Sequence, residues 1–234
     1  MRDEYMYISI NQILLKQLNG ELNTSKDWNA LLTTYRIPEN ILDKFYNNFY
    51  EVMIYNYQKV SINFINKHLD NLSISSLEAI CKRQKINEQF IRLNQSKFDS
   101  PIWAILLKRY QIPINILNKN LLKYTSDCWI NIVRYQKVDE DFLIKNKHYI
   151  QSIHVFKYRR CSDTLIETFL NLNDSYSMEA LFKYQHISEE LMNCILKKIK
   201  KQYKQYFFSW SSMAAMKKYQ NFSNQLMNRI KEIV

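Results

Sequence analysis

Glycine occurs once in 234 residues and proline three times, so the chain has almost none of the punctuation that hairpins, strand turns and flexible linkers use. That scarcity excludes several chemistries. With Gly20 alone there is no P-loop, no dinucleotide fingerprint and no nucleophile elbow. The four cysteines, Cys81, Cys128, Cys161 and Cys194, form no C-x-x-C pair. The four histidines, His68, His148, His154 and His186, show no H-x-x-x-H, H-E-x-x-H or Cys–His ligand spacing, so no metal site or cofactor is expected. The longest uncharged stretch, 206–216, includes three serines and is far short of the ~20 apolar residues that cross a bilayer. The start, Met1 to Tyr5, lacks the basic-then-apolar order of a secretory signal. Scattered cysteines read as small core residues, and a reduced, cytoplasmic setting with no membrane partner is the expectation.

What is present is a repeat. Taking Val138 as an anchor, equivalent anchors are Ile37, Val60, Ile86, Ile112, Cys161, Ile187 and Phe222, mostly 23 or 26 residues apart with a last spacing of 35. Six residues before each anchor stand Leu31, Ile54, Ile80, Leu106, Ile132, Val155, Leu181 and Met216. Four residues after it stand Ile41, Phe64, Phe90, Ile116, Phe142, Leu165, Leu191 and Leu226, each followed by a second apolar residue. A fixed period between about 20 and 50 residues marks a stacked repeat architecture.

Local chemistry identifies the unit. The residue after each anchor is Ser, Asn, Asp or Pro, the types that start a helix by capping or by lacking an N–H. Acidic residues follow, as in Asp139-Glu140-Asp141; as paired carboxylates they would suggest nuclease chemistry, but the first turn of a helix favours them there anyway. Before the anchor, Trp129, Ile132 and Val133, like Trp103, Leu106 and Leu107, fall at i, i+3, i+4, one buried helix face. Helix starts are signalled by Asp27, by Ser100-Pro101 and by Ser126 or Asp127. The extra three residues of the longer units are placed between the second helix and the next first helix, where a loop or an added turn accommodates them. The predicted fold is all-α: an α-solenoid of about eight short helix–turn–helix repeats. Residues 1–25 form an N-terminal cap, with Ser9, Ile13 and Leu14 as a degenerate helix ended at Asn19-Gly20. Residues 26–196 form the regular array, and 197–234 a basic insertion and last repeat of the same domain.

Two features offer binding. Tyr and Gln recur three and two residues before the anchor, as in Tyr57-Gln58, Tyr135-Gln136, Tyr184-Gln185 and Tyr219-Gln220. They read either as packing and turn-carbonyl partners or as a ladder that reads successive bases. The second feature is charge. Lys197, Lys198, Lys200, Lys201 and Lys204, with Lys217 and Lys218, give the C-terminal segment most of the chain's net +11. A basic helix beside aromatic rings suits an anionic partner such as DNA or RNA, although a solvated lysine face is the plain alternative. The pairs Lys82-Arg83, Lys108-Arg109 and Arg159-Arg160 extend such a face.

The motif W-x-x-[IL]-x-x-[YR]-Q-x-[IV]-[SPND]-x-x-[FL]-[IL], clearest at 129–143 and 178–192, resembles the short helical repeats of functionally uncharacterised proteins from giant DNA viruses and bacteriophages, over about residues 26–230. The resemblance implies a virus- or phage-encoded repeat protein that binds a host factor. The expected function is thus a non-enzymatic binding module for a host or partner protein or protein–nucleic acid complex, extending to inhibition of a nucleic-acid-dependent defence complex. Direct nucleic-acid binding by the basic C-terminal helix is the alternative.

Overall fold

The structure is a computed structural model in which residues 6–202 and 209–232 are described. It is 70% helical, with seventeen α-helices among the described residues. The chain divides into two compact units, Met1–Lys123 and Tyr124–Val234. No change of composition marks that boundary in the sequence.

The first unit opens with α1 (Ile10–Leu18) and continues in pairs: α2 (Ser25–Thr34) with α3 (Glu39–Lys44), α4 (Glu51–Tyr57) with α5 (Ile62–Lys67), α6 (Ile74–Arg83) with α7 (Glu88–Asn94), and α8 (Ser100–Arg109) with α9 (Ile114–Lys119). The second repeats the scheme: α10 (Ser126–Tyr135) with α11 (Glu140–Lys145), α12 (Ser152–Tyr158) with α13 (Asp163–Phe169), α14 (Ser175–Tyr184) with α15 (Glu189–Gln202), and α16 (Trp210–Tyr219) with α17 (Asn224–Lys231). Within the first unit α2 packs on α4, α4 on α6 and α6 on α8; within the second, α10 on α12, α12 on α14 and α14 on α16. Isolated helices this short are unstable in water, so the packing of their apolar faces sustains them.

All eight residues predicted six before the anchor are buried, five or fewer per cent exposed in every copy. The eight residues four after it are buried as well. Each such side chain contributes about 1.5–3 kcal/mol relative to exposure. The anchor column is looser: Val138, Cys161 and Phe222 are only half-buried, as is Met227 in the last second helix. Of the cysteines, Cys81 and Cys128 are buried, but Cys194 is exposed, so its reading as a core residue is corrected: it points outward from α15.

Three details refine the sequence reading. Of the loop or added turn open to the longer units, the structure has the added turn, and the link between pairs does not lengthen. Residues 45–50, 68–73, 120–125 and 146–151 are links of equal length, whereas α4 and α12 have 7 residues and α6 and α10 have 10. The three extra residues therefore form one more turn at the start of the first helix, which leaves the helix end and the anchor unchanged. Caps lie earlier than expected: Thr24 makes a capping box with Asp27, Asp99 accepts from the N–H of Ile102, and Thr125 precedes α10. At the N-terminus Ser9 caps α1 and Gly20 ends it with φ +73°, as predicted, but Leu14 is exposed, and only Ile13 of the apolar pair is buried. Two-residue strands β1 (Met6–Tyr7) and β2 (Tyr35–Arg36) also pair in parallel, setting the N-terminal segment beside the first turn.

Candidate functional site

The turn between the helices of a pair is where the repeat concentrates its polar chemistry. Gln58 reaches back to the preceding turn. Its Oε1 accepts from the N–H of Ile37 at 3.0 Å, and its Nε2 donates to the carbonyls of Leu32 and Tyr35. Gln84 does the same one unit on, to Val60, Tyr55 and Gln58. In the second unit Gln185 clamps Cys161, Phe156 and Arg159, and Gln220 clamps Ile187, Phe182 and Gln185. Each amide thus joins the anchor N–H and two carbonyls at the end of the preceding first helix, groups that a helix terminus leaves unpaired. The glutamines are inward-facing structural ties, and the base-reading ladder has no free amides to read with at these four positions.

Where another residue replaces Gln, other side chains reach back to the preceding turn. Tyr110 Oη donates to the carbonyl of Gln84 and accepts from the N–H of Ile86, while the neighbouring Arg109 donates to the carbonyl of Cys81, the third group of that turn. Arg159 donates to the carbonyls of Ile132 and Gln136. Burial holds its guanidinium below the usual arginine range, and its Nε has no partner among the described residues. Arg109 and Arg159, both sequence candidates for anion binding, are therefore engaged in holding turns.

A second tie lies one step further along. Glu39 accepts from the N–H and hydroxyl of Ser61, the cap of the next second helix, and Glu140 does so for Ser162. Glu189 accepts from the N–H of Ser223 at 2.6 Å, and that bond lowers its carboxyl pKa. Glu39, Glu140 and Glu189 thus bind the cap of the following second helix, a tie between copies beyond the helix-start role read from the sequence.

Most of the sequence-predicted cations lie on the surface. Lys108, Arg160, Lys197, Lys198, Lys217 and Lys218 are exposed; Lys198 pairs with Glu167 at 3.1 Å, and Lys218 lies 5.2 Å from the centre of the Tyr219 ring. The side chains of Lys200, Lys201 and Lys204 lie outside the described residues. The basic stretch does extend a helix: α15 has 14 residues where its counterparts have 6 to 8.

The structure adds residues that the sequence reading missed. Lys59 and Lys85 stand immediately before their anchors and are exposed, as are Lys82 and Arg83. Lys59, Arg83 and Lys85, with Arg36 and Arg109, line two adjoining recesses of about 530 and 480 Å³, which share Lys59, Arg83 and Gln84. Neither recess is lined by a carboxylate. The signal was in the alignment. From four residues before the anchor to the anchor itself, the eight copies hold fourteen of the chain's 33 Lys and Arg and none of its 22 Asp and Glu.

Among the described residues no group of three or more His, Cys, Asp or Glu is placed to hold a metal ion. Burial pushes the Cys81 and Cys161 thiols up to about 12, so neither is a thiolate near neutral pH. No helix among the described residues is long and apolar enough to cross a membrane. No protein-family model, curated protein or solved structure matches the chain.

Proposed function

We propose that this chain is a non-enzymatic binding module, an α-helical repeat scaffold that presents equivalent exposed positions at successive turns to a host or partner macromolecule. One observation carries this reading. The repeat's amides and first-turn acids are spent on ties between neighbouring turns, while the cations beside them at Lys59, Lys82, Arg83, Lys85 and Lys108 have no hydrogen-bond or ion-pair partner among the described residues. Rigid mounting of unpartnered side chains lowers the ordering cost of binding. The resemblance to viral and phage repeats favours a cytoplasmic host protein or protein–nucleic acid complex as target, with inhibition of a nucleic-acid-dependent defence complex as the consequence.

The alternative, direct DNA or RNA binding by the C-terminal helix, draws support from exposed Lys197, which has no carboxylate partner among the described residues. Affinity capture with the full-length chain from host extract, with and without nuclease, separates the two. A host protein retained after nuclease treatment supports the leading reading. Retention that vanishes with nuclease favours the alternative, and no retention in either case overturns both.

A further inference from the structure

We propose that the turn edge of the first unit, from Arg36 to Tyr110, is a binding site for single-stranded nucleic acid. This rests on the binding-module reading and names its partner and its surface, which is not the C-terminal helix. The two recesses place Lys59, Arg83 and Lys85 together, with Arg36 and Arg109 at their margins and no carboxylate in either lining. Among the described residues Lys59, Arg83 and Lys85 make no ion pair; those of Lys16, Lys67, His68, Arg92 and Lys198 lie outside the two linings. Lys59, Arg83 and Lys85 therefore repel one another in a concave surface with no partner to offset it, which concentrates positive potential where a polyanion can enter.

The floor of this groove is fixed. Gln58 and Gln84 are buried and tie its turns together through five backbone groups plus the shared carbonyl of Gln58. The cations are thus carried on a backbone that does not need ordering when a ligand arrives.

An aromatic ring decides between kinds of polyanion. Tyr57 lines the first recess beside Lys59 and is 43% exposed. A single strand supplies phosphates to the cations and unstacked bases to the ring, the combination that sequence-tolerant single-strand binders use. A duplex keeps its bases stacked on each other, and an acidic protein segment brings carboxylates without a matching ring.

Fluorescence anisotropy of a labelled oligothymidine of about 20 nucleotides, longer than the ~4–16 nucleotides of a typical single-strand site, tests this with the full-length chain at low salt. Combined Lys59→Gln, Arg83→Gln and Lys85→Gln substitution is expected to weaken binding at least tenfold. It also lowers the slope of log affinity against log salt by about 2, as three lost phosphate contacts on a single strand require. Tyr57→Ala weakens binding while leaving the salt slope unchanged. Far-UV helicity stays at the wild-type value, because the three cations are exposed and have no hydrogen-bond or ion-pair partner among the described residues. Combined Lys197→Gln, Lys198→Gln, Lys217→Gln and Lys218→Gln substitution retains binding within about threefold. Wild-type affinity in the turn-edge variant overturns the proposal, and so does equal or tighter binding of the matching duplex. Competition by polyglutamate as effective as that by the oligonucleotide points to an acidic protein instead and also overturns it. If the oligonucleotide does not bind but a nuclease-resistant host protein is captured, this site falls and the binding-module reading stands. If neither occurs, both fall.

Discussion

Gln84 donates its Nε2 hydrogen to the backbone carbonyl of Gln58 at 2.7 Å, and Gln58 in turn donates to the carbonyl of Tyr35 at 2.8 Å. Each tie thereby ends on the residue that makes the previous one. The turns of the first unit are joined by a chain of amides running beside the packed helices, and any break leaves buried polar groups without partners.

Gln84→Ala removes the partner of the Val60 N–H and of the Tyr55 and Gln58 carbonyls at once. Buried unsatisfied groups cost about 1–3 kcal/mol each, and partial relaxation brings the expected loss to roughly 2–4 kcal/mol. Gln84→Glu is expected to cost at least as much, because it sets an oxygen against the two carbonyls. Urea unfolding measures both; a loss below about 0.5 kcal/mol for Gln84→Ala contradicts the tie.

Arg159→Gln reverses the logic. Arginine has no acceptor for the anchor N–H and carries a half-buried charge, so the amide found in four of the other turns fits the site better. The expected change lies between no effect and about 1 kcal/mol of stabilisation. A destabilisation above about 1 kcal/mol would mean that the guanidinium holds more than the carbonyls of Ile132 and Gln136.

Phe142→Ala tests the core of the second unit. The ring is buried in α11, with its centre 6.3 Å from that of Trp129. Truncating a buried aromatic costs about 3–5 kcal/mol. Amides of α10 are expected to lose exchange protection along with those of α11. Loss confined to α11 would show that the two helices are not mutually stabilised.

Much of this was legible in the sequence, and the parts that were not have physical reasons. The columns of Leu31 and its equivalents and of Phe142 and its equivalents are buried in every copy, because packing demands an apolar side chain there and chance does not supply eight. Whether the extra three residues made a loop or an added turn stayed open in the sequence, because stretches such as Ser126-Asp127-Cys128 and Ser175-Tyr176-Ser177 suit either. Asp99 and Ser100 are both good caps, and only backbone geometry selects Asp99. The Tyr-Gln pairs were visible, but each Gln bonds to the turn before its own, an offset that no spacing within one copy reveals. Lys59 and Lys85 were overlooked because single lysines carry little information until the turns bring them together.

His154 is expected to make the second unit acid-sensitive. Burial, with Lys157 nearby as the lesser cause, lowers its pKa from 6.5. The unfolded chain therefore takes up the proton first as pH falls, and stability present above about pH 6.5 is lost on the way down through the folded pKa. His154→Gln is expected to flatten the fall in urea midpoint between about pH 7 and 5. An unchanged slope in that variant assigns the sensitivity to another group.

Hydrogen exchange at single amides tests the tie between turns most directly. In wild-type protein the N–H groups of Ile37 and Val60 are held by Gln58 and Gln84 respectively. In Gln58→Ala, the Ile37 amide should exchange at least about tenfold faster, while Val60, still held by Gln84, changes much less, since one lost bond of about 1.4 kcal/mol is a factor of ten in the opening equilibrium. Equal acceleration at both amides, or none at either, would contradict a repeat array tied turn to turn by its glutamines.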